Sequence, residues 1–485
     1  MISDEEMKSG NILKLFWKFA LPAVIGVLIA GIQGIIDGFF IGNAIGSPGL
    51  AGITLAYPPY LAIIGAGIII GIGSSSLIAL KLGEGKNGEA LEIMNNAFPL
   101  CLLAGAIFTI GGLVFCKTSI NLLGTNGPAL SLAQEYLYVI FAGSVFMILA
   151  IALEPLVRND GKPKLCMKIM IAGVLANVVL DFLFIMYLKL GMQGAATATI
   201  LSFALPAALL TYHLFGSKAK LRLRLKDMKV KTATTLQILK SGVPSFVMQI
   251  SFALVLFAQN YMLLKYGSEI AVSAYGVIGY LFSIFTMLFE GIALGVQPII
   301  GFNYGAGNYK RVLKTLKLTM LSCTLIGALG FALIYLFPES LVQIFSQSDS
   351  ELLDVTLQGM DIFMLSLLVE GTVLLTAVYY QSINRVRAAL FIHLGKIFIF
   401  LFPLLFILPQ FFDLNGVWAA SPATEYLMTA VVMVMLSKEF KFLGSSRKAE
   451  TNTKHATPAS RSSVKAANEE GTGYITFRHA ERETS

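Results

Sequence analysis

Shifted by 222 positions, the chain lands on its own landmarks: Lys18 on Lys240, Pro22 on Pro244, Gly73 on Gly295, and Gly83/Gly85 on Gly305/Gly307. Near the end of each half, Gly194 and Ala198 fall on Gly416 and Ala420. A constant offset over so long a span requires two halves of like length and like element count. Both halves are almost entirely apolar, so the repeat describes two matched hydrophobic bundles about a pseudo-two-fold axis. That construction suits a membrane transporter, with substrate held between repeats that rock against each other. Soluble enzymes, receptors and channels give no reason for the duplication.

Composition agrees. Of 485 residues 56% are hydrophobic and only 13% charged, with a mean hydropathy of +0.75. An ordinary soluble domain is about a quarter charged. Stretches long enough to cross a bilayer run over 13–43, 48–80, 91–116, 130–157, 163–187, 191–215, 236–264, 270–302, 312–337, 352–380, 388–409 and 414–437. The spacing predicts an all-α polytopic membrane protein with twelve transmembrane helices in two pseudo-symmetric six-helix lobes. Six crossings per half leave both halves in the same orientation, a parallel repeat. The expected domains are an N-lobe over 1–215, a basic cytoplasmic linker over 216–235, a C-lobe over 236–437 and a disordered cytoplasmic tail over 438–485. In the linker Leu alternates with Lys and Arg, a pattern expected to lie on the membrane surface.

The cations set the topology. With a cytoplasmic N-terminus, inside loops hold Lys81 and Lys86, Arg158 through Lys168, the 218–240 cluster, Lys310 through Lys317, and Arg385 and Arg387. The outside loops hold only Lys117, Lys189 and Lys265. This bias satisfies the positive-inside rule and places both termini in the cytoplasm. The formal charge of +8 is then a topology signal and a contact with lipid headgroups, not a nucleic-acid footprint. The first apolar segment is too long for a signal peptide and takes part in the repeat. Cys101, Cys116, Cys166 and Cys323 lack metal or redox spacing and read as packing residues.

Ionisable side chains at bilayer depth demand a reason. Asp37 lies late in the first, outward-running helix. Asn177 and Asp181 share one face of the fifth helix, and Thr199 lies a little over two turns down the sixth, so all four reach a similar outer depth. Two carboxylates, an amide and a hydroxyl make an oxygen-rich site for Na⁺ or a titrating proton. The repeat sharpens the case, because the counterparts of Asp37, Asn177 and Asp181 are Gln259, Ile399 and Pro403. Architecture is shared between the halves; this polar set is not.

Other embedded polar residues leave more than one reading. Glu154, one turn before Arg158, reads equally as a gating residue or a structural ion pair. Glu290, Glu370 and Lys396 could form a neutralised cluster or line a cavity for cationic substrates, and Glu425 lies deep in the last helix. Gln259 joins these as a gating or substrate candidate by its position opposite Asp37.

At this point the sequence resembles a known family. Ile36-Asp37-Gly38-Phe39-Phe40-Ile41-Gly42 looks like the first-helix signature of the multidrug and toxic compound extrusion transporters. So do Gly83-Glu84-Gly85, Gln297-Pro298 through Gly305-Ala306-Gly307, and Asn415-Gly416-Val417-Trp418. The resemblance covers roughly residues 10–437 and looks closest to the bacterial multidrug-exporter branch. It implies a V-shaped pair of lobes in the bacterial inner membrane. It also implies antiport, with lipophilic, mainly cationic drugs leaving as H⁺ or Na⁺ enters, and no cofactor beyond that ion. Asp37, Asn177, Asp181 and Thr199 match the family's N-lobe cation site. Tyr136, or else Tyr138, matches a fourth-helix tyrosine near it. Glu154 departs from the pattern, standing where some members carry Asn.

The alternative function within the superfamily is a flippase or exporter of lipid-linked saccharides, which calls for more cations in the central cavity to hold pyrophosphate. Lys396 is the one embedded lysine, and carboxylates dominate. An intramembrane enzyme would need a signature such as HExxH or a Ser/His pair; His213 and His393 lie near cytoplasmic ends without one. The expected partners are small organic substrates and the bilayer, with a monomer as the working unit.

Overall fold

A computed structural model describes residues 2–121, 127–343 and 350–454, with side chains over 2–116, 127–343 and 350–444. Twelve crossings are present when one bent pair is counted as a single span. The first six are α1 (Ile12–Ala44), α2 (Ser47–Gly83), α3 (Asn87–Asn121), α4 (Pro128–Ala142 and Ser144–Asn159), α5 (Pro163–Tyr187) and α6 (Gly191–Phe215). The second six are α7 (Thr232–Tyr266), α8 (Glu269–Gly305), α9 (Tyr309–Leu336), α10 (Ser350–Ser382), α11 (Val386–Ile407) and α12 (Pro409–Gly444). A short helix, Asp4–Ser9, precedes α1. Residues up to Val434 form one compact unit and those from Met435 a second. The second is helical through Lys454, and residues 455–485 lie outside the described residues.

The repeat reappears in the backbone. Gly85 (φ 76°) and Gly307 (φ 71°) make the same left-handed turn after α2 and α8. Gly191 (φ 60°), at the start of α6, is answered by Asp413 (φ 47°), which breaks α12 so that its regular part begins where the apolar sequence begins. Contacts between the lobes are reciprocal as well. A Cβ on Gly83 would stand 1.9 Å from the Phe302 carbonyl oxygen, and one on Gly305 would stand 2.1 Å from that of Leu80. Further along, Gly73 meets the Ile238 carbonyl oxygen and Gly295 meets Ala20 Cα. Without a hydrophobic force between helices in lipid, such close approaches of backbone supply the packing.

Three local features depart from a plain twelve-helix reading. The fourth span, expected as one helix over 130–157, bends by 59° at Gly143-Ser144. Gly/Ser pairs are common kink sites, and Gly143 lies against the Ile200 side chain of α6. The bend puts Tyr136 and Glu154 on separate segments. Next, α5 relaxes into a π-helical segment, Phe182–Tyr187, directly after Asp181, and α11 does so over Gly395–Leu401, around Lys396. Such segments cluster at functional sites.

Finally, the first part of the linker is tied into the N-lobe, which its alternation alone did not suggest. Leu221 and Leu223 are buried in the N-lobe core. The Leu221 N–H donates to Asp160 Oδ1 at 2.7 Å and the Arg224 N–H to Asn95 Oδ1 at 3.1 Å. Buried polar side chains at the lobe's end satisfy the backbone there, so Leu221 and Leu223 turn inward while Leu225 stays exposed.

Candidate functional site

In the N-lobe, α5 presents Asn177 and Asp181 on one face, 0% and 1% exposed. From α1, Asp37 comes up beside both. Thr199 is buried on α6, its hydroxyl donating to the Ala195 carbonyl at 3.0 Å. Tyr136 on the first segment of α4 lies beside Thr199 and close to both carboxylates. The structure therefore brings together the four residues expected of a cation site and selects Tyr136 as their tyrosine. Tyr138, two residues on and so on another face, is 42% exposed.

Asp37 Oδ1, Asp181 Oδ2 and both polar atoms of Asn177 are buried without a hydrogen-bond partner. Neither carboxylate is paired with a lysine or arginine among the described residues. Buried carboxylates lacking a partner are costly. A proton or a small cation would remove that cost, and the donor set of carboxylate, amide and hydroxyl oxygens fits either. One neighbour escaped sequence reasoning: Tyr60 on α2 faces Asp37 and Tyr136, and its ring stacks with that of Tyr57 at 6.3 Å. The available signal was a tyrosine on the returning helix within about two turns of the depth of Asp37.

The C-lobe carries a different cluster. Lys396 on α11 makes an ion pair with Glu425 on α12, and Glu370 on α10 lies beside both. The Thr286 hydroxyl on α8 reaches both Glu370 carboxylate oxygens at 3.4 Å. Glu290, one turn beyond Thr286, is half-buried and stands outside this ion pair. Gln259, opposite Asp37 in the repeat, is 0% exposed, and its Nε2 donates to the Val417 carbonyl at 3.0 Å, tying α7 to α12.

At the end of the bundle that carries the N-terminus, Glu154 forms an ion pair with Arg158. Arg158 also donates from Nη1 to the Leu294 carbonyl of α8 at 2.8 Å, across the lobe boundary. Gln297 crosses the same boundary to the Ser76 hydroxyl at 2.9 Å. His213, which showed no motif in the sequence, pairs with buried Asp160 at 2.8 Å. The four cysteines are buried. Among the described residues no group of three or more His, Cys, Asp or Glu is placed to hold a metal ion.

The profile of the MatE family matches residues 22–183 and 244–407, two blocks whose starts are separated by the same offset that the repeat shows. Over 419 residues the chain is 27% identical to the multidrug export protein MepA of Staphylococcus haemolyticus (strain JCSC1435), covering 86% of this chain and 92% of that one. The solved MATE multidrug transporter DinF-BH is 32% identical and superposes with a TM-score of 0.81, over 88% of this chain and 96% of that one. A MATE crystal structure in complex with MaL6 shares the fold at a TM-score of 0.87 and 22% identity, over 92% of this chain and all of that one. The chain belongs to the MatE family: it is a multi-pass membrane protein of a transporter family, not an enzyme.

Proposed function

We propose that the chain is a secondary antiporter of a bacterial inner membrane that exports lipophilic, mainly cationic compounds while H⁺ or Na⁺ moves inward. Its likeness to proteins named as multidrug exporters supports the export reading. One observation carries the coupling: the N-lobe holds two neighbouring, partly unpartnered carboxylates with no lysine or arginine paired to them among the described residues. Asp37 and Asp181 then bind the entering ion, Asn177 and Thr199 supply further oxygens, and Tyr136 borders the site. The ion drives transport only through its different affinity for the two states of the protein. A desolvated carboxylate attracts positive charge strongly, which favours cations among lipophilic substrates.

The direct test is transport in proteoliposomes under separately imposed Na⁺ and pH gradients, with ethidium as the cationic probe. Ethidium movement driven by one of the gradients is the expected result. Movement under neither gradient, together with transport of anionic compounds alone, would overturn the reading.

The charge distribution supports a topology in which the N-terminus and the 216–235 linker are cytoplasmic, and the working unit in this reading is a monomer in the bilayer. Cysteines introduced at Lys226 and at Gly127 should react with impermeant reagent from opposite sides of the membrane. Labelling from one side only would sink this topology.

A further inference from the structure

Pro298 lies inside α8, and a proline in a helix has no N–H to give to the carbonyl four residues earlier. That carbonyl belongs to Leu294. It is the group that Arg158, from the other lobe, takes as acceptor at 2.8 Å. Arg158 is 4% exposed, and its second nitrogen, Nη2, is held by Glu154 one turn earlier on α4. The guanidinium thus spends one nitrogen on its own lobe and one on the partner lobe.

The repeat shows that this contact is not a general feature of the packing. At the equivalent place in α2 stands Ser76, whose hydroxyl donates to the Ile72 carbonyl at 3.0 Å. The carbonyl corresponding to that of Leu294 is therefore satisfied within its own helix. Arg158 itself is matched by Tyr380, and Glu154 by Thr376. At these repeat-related positions the proline-freed carbonyl belongs to α8 and not to α2, and the arginine that meets it belongs to α4 and not to α10.

We propose that Arg158, docked on the carbonyl that Pro298 leaves free, is a latch closing the lobes at the N-terminal end of the bundle, with Glu154 as its positioning residue. The inference rests on the antiporter reading only in supposing that the lobes part at this end during transport. Closing the latch costs little, because the acceptor needs a donor and the donor is pre-oriented by its carboxylate. Opening leaves both groups to find water, so the latch holds until water enters. Glu154 acts through Arg158.

The reporter is Leu82→Cys, since Leu82 is buried and lines the cleft between α2 and α8 together with Pro298 and Phe302. The parent chain, whose four cysteines are buried, gives the background. Reaction with an impermeant maleimide is followed in detergent without drug or ion gradient. Arg158→Gln should speed labelling by about tenfold or more, the size expected for a hydrogen bond to a charged group. Arg158→Lys, which still donates, should restore slow labelling in part. Pro298→Ala returns an N–H to the Leu294 carbonyl, so it should speed labelling while leaving Arg158 and Glu154 in place. This second variant keeps the test decisive if Arg158→Gln fails to fold.

Unchanged labelling in Pro298→Ala overturns the latch, whatever Arg158→Gln does, because a packing role for Arg158 would not respond to the proline. Faster labelling in both variants supports it. Drug transport is measured separately. A responsive latch in a protein that exports nothing would refute the proposed function and leave the latch standing, and the converse result would separate them the other way.

Discussion

The N-lobe and C-lobe are built on one backbone plan and hold opposite kinds of polar cluster. In the N-lobe, Asp37 and Asp181 are neighbours with no basic partner among the described residues, and one carboxylate oxygen of each is buried without a hydrogen-bond partner. In the C-lobe, Glu370 and Glu425 are gathered around Lys396, which supplies a built-in cation. The counterparts of each cluster in the other lobe are mostly apolar: Lys396 maps onto Val174, Glu370 onto Ile148, Asp181 onto Pro403. One cluster therefore calls for an exchangeable positive charge, and the other carries a fixed one. A duplicated scaffold can divide its labour in this way, because helix packing depends on glycines that both halves keep, as the Gly83 and Gly305 contacts show. The buried charges sit at positions where packing tolerates either kind of side chain.

The largest effect should come from removing the N-lobe charge. Asp37→Asn is expected to abolish gradient-driven ethidium efflux with expression intact. Gln259→Asn, at the equivalent place in the C-lobe, should leave efflux within a few-fold of the parent, losing one hydrogen bond worth about 1 kcal/mol. Equal losses from the two substitutions would break the comparison, and normal efflux by Asp37→Asn would move the engine to Glu290, Glu370 or Glu425.

A second effect should appear in stability, and in the other lobe. Lys396→Met strips the cation from two buried carboxylates, and breaking a buried pair costs about 3–5 kcal/mol. Its melting temperature in detergent should fall clearly, and Glu425→Gln in the same chain should recover much of the loss. Asp37→Asn should not lower the melting temperature, since it removes an uncompensated charge. A fall with Asp37→Asn and none with Lys396→Met would reverse the roles assigned to the two clusters.

Much of this was legible in the sequence because bilayers enforce simple rules. Apolar length set the twelve spans closely, since every backbone group in lipid must be satisfied within a helix. The constant offset predicted reciprocal contacts, and Gly83 against Phe302 with Gly305 against Leu80 fulfils it atom by atom. Asp37, Asn177 and Asp181 were legible because charge at that depth is expensive. What escaped depends on single residues in context. The Gly143-Ser144 pair alone does not fix a 59° bend, and the inward turn of Leu221 and Leu223 depends on Asp160 and Asn95 from distant segments. The pairing of Lys396 with Glu425 joins two helices whose rotation no spacing rule gives.

The smallest expected effect concerns a tyrosine hydroxyl close to the N-lobe carboxylates. Tyr136 is buried beside Thr199 with both acids close by, whereas Tyr138 is 42% exposed on another face of the same helix segment. Tyr136→Phe keeps the ring and its packing and deletes one donor, so its cost is that of one hydrogen bond, about 0.5–1.5 kcal/mol, or up to roughly tenfold. Ethidium efflux should fall by no more than that factor, with expression unchanged, and Tyr138→Phe should match the parent. The lobe comparison supplies a further control, because the residue opposite Tyr136 in the repeat is Gln358, whose Nε2 donates to Asn415 Oδ1 at 2.9 Å outside the Lys396 cluster. Gln358→Ala should therefore leave efflux alone. If Tyr138→Phe or Gln358→Ala proves as costly as Tyr136→Phe, the hydroxyl is not acting through the Asp37 and Asp181 pair, and the boundary drawn around the N-lobe site is wrong.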